Sequence, residues 1–379
     1  MPEQPITIKN VEEAPETTLI EGIALCLSGG GYRAMLFHTG ALWRLNEMGV
    51  LPRLHLISSV SGGSITAGVL GVHWNSLVFD SQGRATNFLA QIVTPIRQLA
   101  STNIDVEAVL KAAILPGNAS DRVAQEYREQ LFGTATLQDL PADGPRFVFN
   151  ATNSQTGALW RFSRQLMGDY RVGIIANPTV EIADAVACSS AFPPFLSPHL
   201  LNIEGMDWSN IDGADLHVEP YISQAMLSDG GVYDNLGIEP AWKRYETILV
   251  SDGGQKMSPD PSPHQDWVLH TKRVLDIEDN QVRSLRKRQL IDSYRKQERT
   301  GAYWGIRTNI ADYQLLDALP CPYEKTQELA SESTRLSSLA SHQQERLINW
   351  GYAVCDAAVR KHYVVMAKPL EFPYSKVGI

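Results

Sequence analysis

The spacing of apolar residues along this chain changes repeatedly, and each change marks an element. Ile23-Ala24-Leu25-Cys26-Leu27 is an unbroken apolar run, as expected of a strand buried on both faces. It stops at Ser28-Gly29-Gly30-Gly31. Met35, Leu36, Leu42, Leu45 and Met48 then recur at helical spacing until Gly49 ends them. A second apolar run, Leu54 to Ile57, turns through Ser59-Val60-Ser61-Gly62-Gly63 into a helical stretch, Ile65 to Leu70. The opening of the chain therefore predicts strand-helix-strand-helix, with both loops at the same edge of a parallel sheet.

From Asn75 to Asp143 the pattern is helical. Phe88, Ile92, Ile96 and Leu99 mark one amphipathic helix. Asp105 caps a second, carrying Val106, Val109, Leu110 and Ala113, and Ser120 or Asp121 starts a third through Val123, Tyr127 and Leu131. This excursion is either a helical layer of the fold or a cap over a site. Strand patterns return at Arg146 to Thr152 and Trp160 to Ser163. A small-residue helix, Ile182 to Ser190, closes at Ala191-Phe192-Pro193-Pro194-Phe195. Two further apolar strands, Met226 to Ser228 and Thr247 to Ser251, each run into Asp-Gly-Gly. Met257 to Asp266 is rich in Pro and Ser and reads as loop. A long basic helix from Val268 to Arg299, a strand at Tyr303 to Arg307 and a helix from Ser331 to His362 complete an α/β unit. Residues 1–21 form an N-terminal arm, and 22–379 one domain, with 264–379 as its mainly helical completion.

Composition narrows the function by exclusion. The 379 residues are enough for a sizeable core. A net charge of −9 argues against a nucleic-acid binder that relies on general attraction to phosphate. Cys26, Cys188, Cys321 and Cys355 lie far apart, with neither metal spacing nor a disulfide framework. The acidic N-terminus lacks the apolar core of a secretion signal. Leu54 to Phe79 carries no formal charge but is too rich in Ser, Gly, Thr, Asn and His to span a membrane. A cytoplasmic protein is expected, with an inner-membrane face as a peripheral site of action.

The chemistry concentrates in the two loops. A serine at the apex of a strand-turn-helix is lifted onto a strained turn, its hydroxyl beyond the end of the strand and near the positive end of the helix. Its neighbours two positions away must be small, and here they are Ser59 and Gly63. Ser61 is thus a candidate nucleophile; the alternative is an ordinary buried turn. The glycine loop presents free N–H groups at a helix start and has two readings. Gly29-x-Gly31-x-x-Ala34 satisfies a dinucleotide phosphate loop, but the next strand ends in Ser58-Ser59 rather than the acid that would bind a ribose. As an oxyanion hole, the same groups serve the reaction of Ser61 and explain both loops at once. The donors are then the amides of Gly29, Gly30, Gly31 and Gly62. Arg33 adds positive charge for an anionic substrate, braces the loop, or lies on the helix surface.

A serine needs a base. No histidine sits in a setting that identifies it as one. Asp229-Gly230-Gly231 is better suited, because two glycines let the chain bend sharply and bring a carboxylate to a neighbouring loop. Desolvation would raise the basicity of such a carboxylate. Asp252-Gly253-Gly254 repeats the triplet. Asp252 leads into the loosest loop of the chain, whereas Asp229 leads into a turn that Asn235 and Gly237 can fix.

The ordered set of motifs resembles the patatin-like phospholipases. The family's G-G-G-x-R/K-G loop appears as Gly29-Gly30-Gly31-Tyr32-Arg33-Ala34, its G-x-S-x-G elbow as Ser59-Val60-Ser61-Gly62-Gly63, and its D-G-G/A acid motif as Asp229-Gly230-Gly231. The loop ends in Ala and the elbow begins with Ser, where the family has Gly. The resemblance spans roughly Gly22 to Gly254. It implies a three-layer α/β/α fold with a mostly parallel sheet, a Ser61–Asp229 dyad without histidine, no metal or other cofactor, and hydrolysis of a membrane phospholipid or other lipid ester. A nucleotide-binding or nucleotide-regulated effector that uses the glycine loop is the other class. Phe192, with Pro193, Pro194 and Phe195, is a candidate wall for the acyl chain, or packs in the core. Val282 to Arg299 carries seven basic and two acidic residues. It is a solvated face, a contact for anionic lipid, or a pocket for a regulatory anion.

Overall fold

The computed structural model describes residues 19–104, 119–194, 196–209, 213–364 and 371–379. The helix expected from Asp105, Phe195 and most of the N-terminal arm lie outside the described residues.

The chain opens as β1 (Ile20–Leu27), α1 (Gly31–Glu47), β2 (Leu56–Ser59) and α2 (Gly62–His73), followed by α3 (Thr94–Ala100) and α4 (Ala119–Tyr127). A long strand, β3 (Arg146–Asn153), leads into β4 (Ala158–Phe162), β5 (Leu166–Asp169) and β6 (Gly173–Ala176). Then come α5 (Ile182–Ser189), β7 (His199–Asn202), β8 (Trp208–Ser209) and β9 (Gln224–Asp229). The short helices α6 (Gly231–Asp234) and α7 (Glu239–Trp242) precede β10 (Tyr245–Asp252) and the long α8 (Trp267–Arg295). Finally β11 (Thr300–Gly305), α9 (Tyr323–Ala330) and α10 (Ser341–His362) close the chain.

Five strands form a parallel sheet in the order β11-β10-β1-β2-β3. Beyond β3 the sheet continues antiparallel through β4, β5, β6 and β8. The apolar run of β1 is unbroken because both of its faces are covered. Leu25 and Leu27 point into the larger core with α1 and α10, while Ala24 and Cys26 join Ile238, Ala241 and Leu290 on the other side. This is an α/β/α sandwich with one thick helical layer and one thin one. Phe88, Ile92, Ile96, Leu99, Val123 and Tyr127, from the helical excursion, are all buried in the larger core. The described residues of that stretch pack as a layer of the fold.

Two features of the sheet position the site. Leu27 pairs with Ser59 on β2 and with Ser251 on β10, so the loops after β1, β2 and β10 leave from one edge. In addition, β3 outlasts β2. Its first half, Arg146 to Phe149, pairs with β2, and its second half, Ala151 to Asn153, pairs with the antiparallel β9. Strand β9 therefore occupies the space beyond the end of β2 and runs toward it, so the two strand ends, Ser59 and Asp229, approach head-on.

Several boundaries differ from the sequence expectation. The last helix begins at Ser341, not Ser331, because Ser331 to Ser338 is crowded with Ser and Thr, whose side chains compete for backbone hydrogen bonds. Helix α8 ends at Arg295, after which Gln297 adopts φ 59°. Strand β11 begins three residues before the expected Tyr303.

Candidate active site

Ser61 sits at φ 51° and ψ −122°, a conformation that L-residues avoid and that the packing around it enforces. A Cβ on Gly62 would lie 2.2 Å from the Gly31 carbonyl oxygen, so only glycine lets the elbow rest on the glycine loop. The Ser61 amide donates to Ser189 Oγ at 3.0 Å, and Ser189 Oγ donates to the Asn150 carbonyl at 2.7 Å. Ser64 Oγ donates to Ser59 Oγ at 3.0 Å and contacts Ser189 Oγ at 2.9 Å. Ser59, which stands where the family pattern has glycine, thus takes part in a hydroxyl network that ties the elbow to β3 and α5. The sequence offered no signal for Ser64, Asn150 or Ser189, because buried serines and asparagines follow no period.

Asp229 comes to the same place from β9. Its amide donates to the Ala191 carbonyl at 2.8 Å, and its carbonyl accepts from Thr152 Oγ1 at 2.9 Å. Oδ1 accepts from the Gly231 amide at 2.6 Å, while Oδ2 has no hydrogen-bond partner among the described residues. Ser61 and Asp229 line the same cavity. Burial pushes the Asp229 carboxyl up to about 7, partly offset by the Gly231 N–H and the nearby Ser61 hydroxyl and reinforced by Asp279. Among the described residues no hydrogen bond joins the Ser61 hydroxyl to this carboxyl.

Of the three amides expected as donors in the glycine loop, one is engaged elsewhere. The Gly29 amide is already donating to the Asn235 carbonyl at 3.1 Å, so it is not a donor for substrate. The Gly30 and Gly31 amides, and that of Gly62, have no partner among the described residues, and Gly30 and Gly31 line the cavity with Ser61. Arg33 does not line it. Its buried guanidinium donates to the carbonyls of Ala330 (2.9 Å), Glu332 (2.8 Å) and Gly253 (2.8 Å). The expectation of a substrate-binding Arg33 is corrected accordingly: it braces the loop against β10 and the segment after α9.

The cavity holds about 720 Å³. Its lining includes an apolar group, Phe192, Pro193, Pro194 and Leu196, and a charged group from α8, Lys272, Arg273, Asp276, Asp279 and Arg283. Phe192 is half exposed at this wall rather than packed in the core. No described residue of the 75–143 stretch, and no histidine, lines the cavity. His38 is buried against Ser28 O and Ser251 Oγ, and burial lowers it to about 4, so it stays neutral and structural. Among the described residues no three His, Cys, Asp or Glu side chains converge as metal ligands, and no helix is long and apolar enough to cross a membrane.

Asp252 lies outside the cavity lining. Its Oδ2 accepts from the Tyr303 hydroxyl at 2.6 Å and its Oδ1 from the Gly254 amide at 2.9 Å. Burial raises its carboxyl, but Arg283, Lys287 and these two donors outweigh that and hold it below the usual range. The basic stretch is spent in similar ways. Arg283 donates to the Gln255 carbonyl, Arg286 to Glu239 at 2.8 Å, Lys287 lies 4.1 Å from the Tyr303 ring and Arg299 3.8 Å from the Trp242 ring. Arg288, Arg295 and Lys296 remain exposed.

A family model described as Patatin-like phospholipase matches residues 25–242. The chain belongs to this family. The matched span takes in the glycine loop, the Ser61 elbow and Asp229, and stops short of Asp252. Among solved structures, human GIVD cytosolic phospholipase A2 in complex with methyl gamma-linolenyl fluorophosphonate is similar at a TM-score of 0.49 and 14% identity, over 89% of this chain and 57% of that one. VipD from Legionella pneumophila is similar at a TM-score of 0.37 and 16% identity, over 90% of this chain and 66% of that one. The chain thus spans less than two thirds of the length of either structure. A comparison by sequence with curated proteins finds no match.

Proposed function

We propose that this patatin-like chain is a lipolytic serine acyl hydrolase that cleaves phospholipid or related lipid esters. The observation that carries this reading is the buried, unpartnered Oδ2 of Asp229, on a carboxyl raised to about 7, in one cavity with Ser61. A carboxylate with that affinity can take a serine proton near neutral pH and give it back. Ser61 Oγ attacks the ester carbonyl carbon as its proton passes to Asp229. The negative oxygen is met by the Gly30 and Gly31 amides, with Gly62 beside them. When the tetrahedral adduct collapses, the C–O bond to the alcohol breaks and Asp229 returns the proton to the leaving oxygen. Water, deprotonated by Asp229, then cleaves the acyl-enzyme by the same sequence of steps. The apolar lining at Phe192 and Pro194 suits an acyl chain and the charged lining from α8 suits a polar headgroup.

The nucleotide reading is less well supported. A phosphate held on the Gly30 and Gly31 amides would leave the strained Ser61 elbow and the raised, buried carboxyl of Asp229 without a role. Most cations of the basic stretch are also engaged within the protein, which weakens its reading as an anionic-lipid contact. Labelling by a fluorophosphonate probe tests the hydrolase reading. Wild type should label and Ser61→Ala should not, with both folded to the same extent. An unlabelled wild type that binds nucleotide in calorimetry would overturn it.

A further inference from the structure

Helix α8 is amphipathic the wrong way round. Its residues at Lys272, Arg273, Asp276, Asp279, Asn280 and Arg283 recur at helical spacing and line the catalytic cavity. The opposite face carries Trp267, Val274, Leu275, Ile277, Val282 and Leu285, all exposed, with Trp267 at 81% and Leu275 at 55%. Among its described side chains, the helix gives the core no fully buried one before Leu290. Up to that point polar contacts hold it: Arg273 donates to the Ser258 carbonyl at 2.9 Å, and Arg283 donates to the Gln255 carbonyl. A surface helix of a self-contained domain turns its apolar side inward. Here five turns do the reverse, and a contiguous exposed apolar strip of this kind marks a contact with something else.

We infer that this outward face of α8, from Trp267 to Leu285, docks on a lipid surface and so brings the helix that walls the catalytic cavity to the bilayer. The choice of lipid over another apolar partner rests on the lipid-hydrolase reading, together with two features of the strip. A second copy pairing through a coiled-coil seam is disfavoured, because the heptad positions that start at Trp267 would include Thr271, Glu278 and Gln281. A bilayer interface tolerates such polar interruptions and favours a tryptophan at the end of the helix. The segment is also neutral: Lys272, Arg273 and Arg283 balance Asp276, Glu278 and Asp279. Docking is therefore apolar in origin, indifferent to anionic lipid and resistant to salt. This sets it apart from attraction by the basic end of the same helix.

The test is flotation of the full chain with phosphatidylcholine vesicles, at low salt and at about 0.5 M salt, which shortens the screening length to a few ångströms. Ser61→Ala serves as the parent, so that hydrolysis does not alter the vesicles. The parent should float at both salt concentrations. A Trp267→Gln/Val274→Gln/Val282→Gln variant should float at least about tenfold less. The same three changes on the wild-type background should keep turnover of a short monomeric ester, because none of these side chains lines the cavity. Equal flotation of parent and variant would overturn the inference, as would binding that needs anionic lipid. A wild-type dimer in light scattering that the three changes dissolve would assign the strip to a second copy instead. If the vesicle result holds but no ester is turned over, the hydrolase reading fails and the docking surface stands.

Discussion

Asp229-Gly230-Gly231 and Asp252-Gly253-Gly254 are the same triplet, each preceded by serine and each at the end of a strand, yet their surroundings turn them to opposite ends. Asp229 ends an antiparallel strand that runs head-on at the serine elbow. One carboxyl oxygen is unpartnered, the carboxyl is raised to about 7, and the cavity is in front of it. Asp252 ends a parallel strand beside β1. Both of its oxygens accept hydrogen bonds, and Arg283 and Lys287 help hold it ionised. Desolvation is the largest influence on both. What separates them is whether nearby positive charge and donors compensate for it. A carboxylate that is fully satisfied has no use for a serine proton; one that is buried and half satisfied does.

The largest expected difference is in turnover. Asp229→Asn should lower ester hydrolysis by at least about 10³-fold, because an amide cannot accept the proton. Asp252→Asn should leave most of the activity of the folded protein. Its cost falls on stability, by about 2–3 kcal/mol in denaturant unfolding, since it weakens the anchor for Tyr303, Arg283 and Lys287 at a partly exposed site. Reversed phenotypes would exchange the roles assigned to the two acids.

Titration sharpens the contrast. Turnover should rise as pH passes through about 7, as Asp229 loses its proton. For stability the signs are opposite. The raised Asp229 carboxyl favours the folded state below its unfolded value, and that contribution is lost as pH climbs toward 7. Asp229→Asn should therefore gain stability relative to wild type between about pH 4 and pH 7, read by calorimetry. The lowered Asp252 carboxyl stabilises above its unfolded value and loses that contribution on acidification. Asp252→Asn should therefore narrow its deficit only in acid.

The smallest effect concerns Asp279. It lines the cavity and raises the Asp229 carboxyl, though as the last of the four influences on it. Asp279→Asn should move the rising limb of the pH–rate profile toward lower pH by a few tenths of a unit. An upward movement would contradict the electrostatic account.

Much of this site is legible in the chain because local rules set it. The unbroken apolar run of β1, the glycine loop and the elbow are contiguous stretches whose chemistry follows from spacing. In the sequence, the preference for Asp229 over Asp252 rests on the rigidity of the residues after each triplet. The reason visible in the structure is different: β3 outlasts β2 and leaves room for β9, which no local pattern announces. Strands β5 to β8 span four residues or fewer, too few to display alternation. The roles of Arg33 and Gly29 are hidden because their partners, Ala330, Glu332, Gly253 and Asn235, are distant in sequence. The inverted face of α8 escapes sequence reading for a related reason: periodicity gives the stripe, but only the packing gives its direction.

The central claim, that Asp229 and not Asp252 activates Ser61, is tested most directly by the rate of fluorophosphonate labelling across pH 5 to 9 for wild type, Ser61→Ala, Asp229→Asn and Asp252→Asn. The account predicts no labelling of Ser61→Ala, a wild-type rate that rises through about pH 7, the same profile for Asp252→Asn, and a low, pH-flat rate for Asp229→Asn. A wild-type profile retained by Asp229→Asn, or lost in a folded Asp252→Asn, would contradict it.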